Sequence, residues 1–190
     1  MFWLVLGLVV FFATHSVSIL APGRRDRAVA RIGEGPWKGL LGIVSLGGLV
    51  LIVIGYGLAR EHPIWLYFPP TWMRHVALGL LVFVFPLALA ACFRGRISDR
   101  LKHPLLAAVK TWALAHLLVN GTVADVLLFG GFLAWAVADR ISLQHRPARP
   151  SPGAPARPVN DWIAVIGGVV LYAAFVLGLH RWLIGVPVLR

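Results

Sequence analysis

The residues of this chain best suited to chemistry are its histidines, at positions 15, 62, 75, 103, 116, 145 and 180. His15 sits in Phe12-Ala13-Thr14-His15-Ser16, and nothing else in the surrounding apolar run is ionisable. His116 lies in the run Trp112-Ala113-Leu114-Ala115-His116-Leu117-Leu118-Val119-Asn120-Gly121. At helical spacing Trp112, His116 and Asn120 fall at i, i+4 and i+8, so one face would carry an aromatic plate, an imidazole and an amide. Polar groups in hydrocarbon are costly and normally turn toward the protein interior. Each histidine therefore has two readings. It is a packed imidazole donating to a carbonyl or hydroxyl, part of the polar glue between membrane helices, or it is a ligand to a metal or haem iron. Asn120 has a competing job, shaping a turn with Gly121. His103-Pro104 stands where a loop enters an apolar run, and Pro104 suits a first helical position. His75 and His180 sit near span ends, and His62 and His145 are loop residues.

Among metals, haem iron suits these residues best, because it accepts axial imidazoles and needs few of them. Nonhaem iron or copper wants more ligands, often carboxylate or thiolate, and the apolar runs hold few of either. The single cysteine, Cys92, excludes an internal disulfide and a cysteine cluster within one chain. His15 lies about 20 Å along its helix from the outer end, whereas His116 lies about 6 Å deep if its turn is at the surface. A turn sunk into the bilayer narrows that gap, and His75 or His180 would match the depth of His116 more easily. No Walker loop, dinucleotide fingerprint or HExxH motif occurs, and no catalytic residue is nominated.

These side chains have to be positioned by elements made for lipid. Of the 190 residues, 59% are hydrophobic and only 13% charged, against about a quarter charged in a soluble domain. Mean hydropathy is +0.82. A small soluble domain lacks the interior to bury so much apolar surface. Uncharged runs cover Met1 to Ala21, Gly39 to Ala59, His75 to Phe93 and Trp162 to His180, each near the ~20 residues that cross a bilayer. They do not alternate, so helices rather than barrel strands are expected. Leu105 to Ala138 is interrupted only by Lys110 and Asp125 and holds Asn120-Gly121 midway. It reads as a hairpin of two short spans. The expected fold is all-α, a multi-pass transmembrane helical bundle of six spans, or five if that block is one tilted helix. Residues 1–190 form a single integral membrane domain, with a Pro, Ala and Arg-rich linker within 140–160, chiefly Arg146 to Pro158. The first run has no basic region before it and no clear cleavage pattern after it, so it reads as a retained helix.

The net charge of +11 is scattered between apolar runs, which argues against a nucleic-acid face. The loops holding Arg24 to Lys38, Arg94 to Lys102 and Arg140 to Arg157 are richer in basic residues than those between them. The positive-inside rule makes these three loops cytoplasmic and both termini periplasmic, in the cell inner membrane. Trp3, Trp65, Trp72 and Trp182 then fall at outer ends, and Trp37, Trp135 and Trp162 at inner ends, as an interfacial belt. Membrane lipids are the expected partners, with Lys102 placed to meet a lipid phosphate.

Phe12-Ala13-Thr14-His15-Ser16, Leu101-Lys102-His103-Pro104, the Trp112 to Gly121 run and Leu128-Phe129-Gly130-Gly131-Phe132 together resemble NnrU-like membrane proteins. The resemblance covers most of the chain through about Arg140 and, more loosely, the last span. It implies a role in denitrification, in producing nitrite and nitric oxide reductase activity, as a redox or assembly factor. The family is similar to plant 15-cis-zeta-carotene isomerase, a membrane haem b enzyme with two axial histidines. That similarity implies haem b as cofactor, with His15 and His116 as iron ligands; Trp112 and Asn120, spaced to share the His116 face, complete the expected cofactor-binding residues. The spacing from His103 to His116 is the same. A non-enzymatic scaffold for a reductase, and a membrane isomerase or methyltransferase-like enzyme, are the alternatives. The likeness to isoprenylcysteine-type methyltransferases rests on the His-Pro helix entry.

Overall fold

The computed structural model describes residues 1–146 and 153–189. The helices are α1 (Phe2–Leu20), α2 (Pro22–Ile32), α3 (Glu34–Glu61), α4 (Met73–Leu81), α5 (Val84–Cys92), α6 (Arg96–Leu101), α7 (Pro104–Leu117), α8 (Val123–His145) and α9 (Val159–Ile184). Helices α8 and α9 each contain one wider, π-type turn, at Val126–Gly130 and Phe175–Leu179. The described residues are all-α apart from two isolated backbone bridges. Five helical segments are long and apolar enough to cross a membrane: α1, α3, α4 with α5, α8, and α9.

The block expected to be two equal arms divides unequally. Its first arm, α7, has 14 residues and is about 21 Å long, short of the ~30 Å hydrocarbon core. Its second arm, α8, has 23 residues and is long enough. The break falls at Leu118–Gly121, as the Asn-Gly pair indicates. Of the expected linker, residues 147–152 lie outside the described residues. Arg140 to His145 continue α8, and Ala154 bridges to Phe93.

Chain contacts cluster into two compact units. The first comprises residues 1–68 and 120–145. Here α1 and α3 pack along their length through Leu4, Gly7 and Leu8 on one helix and Gly48, Ile52, Gly55 and Ala59 on the other. Small residues let membrane helices approach backbone to backbone. A β-carbon on Gly7 would stand 2.6 Å from the Ile52 nitrogen, and one on Gly55 would overlap the Leu4 main chain. The outward face of α3 is the reverse, with Ile43 73% and Val53 64% exposed. Such a face suits lipid, not water.

The second unit comprises residues 69–119 and 146–190. Helix α5 packs against α7 and α9, and α4 against α7. The α4–α5 span breaks at Val82 and Phe83, one turn before Pro86. Proline has no N–H for the carbonyl four residues back and crowds it, which accounts for the break. Gly168 of α9 packs on the Pro86 backbone. Asn160 donates to the carbonyls of Arg94 at 2.7 Å and Pro155 at 2.9 Å. The Asp161 carboxylate accepts from the Arg96 and Ile97 N–H groups, both at 3.0 Å, and so caps α6. Lys102 joins α6 to α7 with φ of 61°, a conformation that costs a side-chain-bearing residue. Pro104 occupies the first turn of α7, as expected.

Candidate functional site

His15 is exposed on α1, one turn after Phe11. Its Nδ1 lies 2.8 Å from the Phe11 carbonyl oxygen. A carbonyl only accepts, so Nδ1 carries the proton and the lone pair of the neutral ring is on Nε2. Metal-binding histidines are held in one tautomer by this kind of bond. The Phe11 ring stacks on the imidazole, with centroids 4.1 Å apart at 20°. Trp135 of α8 meets it edge-on at 5.7 Å and 88°. Phe12 lies 6.3 Å from Trp135 and 5.1 Å from Phe132. Gly131 lets these rings close up, because a β-carbon there would sit 3.0 Å from Phe12. The two sequence motifs around His15 and Gly131 thus meet in one aromatic wall.

Beside this wall a groove of about 360 Å3 runs between α1 and α3, lined by Thr14, His15, Ser18, Arg25, Lys38 and Ser45, among others. The Thr14 and Ser45 hydroxyls are 2.8 Å apart. Arg25 reaches Asp26 at 3.0 Å and Glu34 at 3.7 Å, and Lys38 reaches Glu34 at 3.0 Å. Composition alone did not single out these groups, because the pairing crosses from one span end to another. Trp135, expected in the interfacial belt, belongs to this wall. Its Nε1–H is buried and has no hydrogen-bond partner among the described residues.

His116 belongs to the second unit. It is half-buried on α7, and its Nδ1 lies 2.8 Å from the Trp112 carbonyl oxygen. The Trp112 ring stands 5.2 Å from the imidazole at 50°. Trp112 and His116 therefore share a helix face, as their spacing requires. Asn120 does not join that face. Helix α7 ends at Leu117, and Asn120 falls in the connection, where its main-chain carbonyl accepts from the Tyr67 hydroxyl at 2.7 Å. The turn chemistry of Asn120-Gly121 outweighs the helical period. His75 is exposed, and His180 is bound through Nδ1 to the Val186 carbonyl at 2.7 Å.

A second polar cluster contains no histidine. Asp125 is only 5% exposed, and its carboxylate accepts from the Tyr56 hydroxyl at 2.6 Å, the Thr122 hydroxyl at 2.6 Å and the Thr122 N–H at 2.9 Å. Thr122 in turn accepts from the Asp125 N–H at 3.2 Å, so the pair forms a capping box at the start of α8. The Thr-x-x-Asp spacing carries that signal in the sequence. Asp125 is thus engaged with Tyr56 and Thr122. The preceding turn is stapled to the loop after α3: Leu66 N–H donates to the Gly121 carbonyl at 2.8 Å and Val123 N–H to the Ile64 carbonyl at 2.8 Å. Partial burial lifts the Tyr67 phenol above its ordinary pKa, and the Asp125 charge adds to the shift. It stays protonated and keeps donating at neutral pH.

Among the described residues no group of three or more His, Cys, Asp or Glu side chains could hold a metal ion. A bare ion takes four or more ligands, mostly from the protein. Haem supplies four nitrogens of its own and asks the protein only for axial donors. The imidazole of His15, the flat aromatic wall and the unpartnered Trp135 N–H are compatible with that demand. No curated protein and no solved structure matches the chain. The NnrU protein family matches it over residues 3–188, nearly end to end, and the chain is a multi-pass membrane protein belonging to that family.

Proposed function

We propose that this NnrU-family protein binds haem b through the imidazoles of His15 and His116 and supports nitrite and nitric oxide reductase activity as a redox or assembly factor. One observation carries the haem reading: each of the two histidines has its Nδ1 on the carbonyl of an aromatic residue one turn back and that residue's ring against its own. Both are thereby prepared to offer Nε2 to iron. His15 and His116 belong to different units, and their pairing rests on the resemblance to the carotene isomerase at His15, His103-Pro104 and His116. Haem bound there would be held by His15 and His116 and would supply one-electron chemistry. The residues of the chain do the remainder. Phe11 and Trp135 hold the His15 ring in place, Trp112 flanks His116, and Arg25 and Lys38 at the groove are paired with Asp26 and Glu34. The link to denitrification rests on the family resemblance.

The test is direct. The full chain is expressed with ample haem, purified in detergent and scanned in the visible range. A Soret band with stoichiometric haem is expected, and colourless, folded protein sinks the cofactor proposal. For the physiological role, a strain lacking the protein should accumulate nitrite or nitric oxide under denitrifying growth. Wild-type reductase activity in that strain would sink the denitrification role.

A further inference from the structure

Helix α2 carries a charge pattern that the haem reading leaves unused. Its 11 residues hold four arginines, but these divide between two faces. The Arg25 side chain is 16% exposed and paired with Asp26 and Glu34, and Val29 is half-buried. That side of α2 packs on α1 and α3. Arg24, Arg27 and Arg31 lie at i, i+3 and i+7 on the opposite face. With Ala28 they line a groove of about 250 Å3. None of the three has an acidic partner among the described residues.

The position of α2 selects what those charges meet. Only Ala21 separates it from α1, and only Gly33 from α3, both of which are membrane-crossing segments. Trp37 stands within the first turns of α3. The headgroup layer is roughly 5–7 Å deep on each side of the hydrocarbon core, and a helix with its side chains is about 10 Å across. A helix tethered so tightly at both ends cannot stand clear of that layer. Three guanidinium groups on one face, each able to grip two phosphate oxygens, are charge-complementary to lipid phosphate.

We propose that the Arg24–Arg27–Arg31 face of α2 is a docking site for the headgroup phosphate of an anionic phospholipid. The site is separate from the histidines and stands or falls without haem. The test uses the full chain in neutral detergent, with thermal unfolding as the readout. Phosphatidylglycerol, phosphatidylcholine and inorganic phosphate are added in turn at equal phosphate concentration. Phosphatidylglycerol alone should raise the unfolding temperature, and high salt should erase the rise. R24Q/R27Q/R31Q should lose the rise, while the control R96Q/R100Q on α6 keeps it. Should the triple variant fail to fold, the single variant R27Q carries the comparison and should show a reduced rise. An equal rise with inorganic phosphate would assign the face to a free anion and overturn the proposal. An undiminished rise in the variants, or none in the wild type, would overturn it as well.

Discussion

His15 and His116 share a local design. Each sits one turn after an aromatic residue, bonds that residue's carbonyl through Nδ1, and has that aromatic ring against its own. The sequence shows the spacing but not the bond, because i−4 geometry is available to any helical histidine. The aromatic wall from α8 could not be read at all, since it depends on which face of α8 turns to α1. Asp125 is the other residue with large consequences. D125A strands the Tyr56 hydroxyl and both Thr122 donors, each worth about 1–3 kcal/mol when buried without a partner. Thermal unfolding in detergent should therefore fall clearly for D125A and less for D125N, which keeps one acceptor oxygen. Equal melting of D125A and wild type would show that the cluster does not hold α8 to α3.

Helix pairing rests on which glycines face a neighbour. Composition does not separate the glycines that meet a neighbour; only contact distinguishes Gly48, Gly55 and Gly168 from Gly42, Gly47 and Gly57, which face open space. G55A drives a methyl into the Leu4 backbone, and overpacking of this kind costs about 1–3 kcal/mol. G57A, on the outer side of the same helix, removes a helix-weakening residue worth up to about 1 kcal/mol. The two variants should shift the unfolding temperature in opposite directions. Equal effects would mean that α1 and α3 do not meet along this seam. The π-type turns and the unequal arms of the hairpin lay beyond a reading by hydrophobic runs, because an apolar run marks neither a widened turn nor a helix end. The Asn120-Gly121 turn was legible because its chemistry is local.

Across the whole molecule, composition points to lipid as the solvent, and loop charge gives the expected sidedness. The start of α8 is bonded to the loop following α3, which puts those two on one side of the membrane; the six-span expectation makes α7 the crossing that returns the chain there. Both termini are then expected on one side, the periplasmic one. A C-terminal alkaline phosphatase fusion should be active and a C-terminal green fluorescent protein fusion dark. The reverse would overturn the expected sidedness. Whether two imidazoles hold one iron is read from the visible spectra of H15A and H116A beside wild type. Each single variant should lose haem or change its Soret and α/β bands from a six-coordinate to a five-coordinate pattern, and the double variant should bind no stoichiometric haem. Bands identical to wild type in both single variants would contradict axial ligation by these residues.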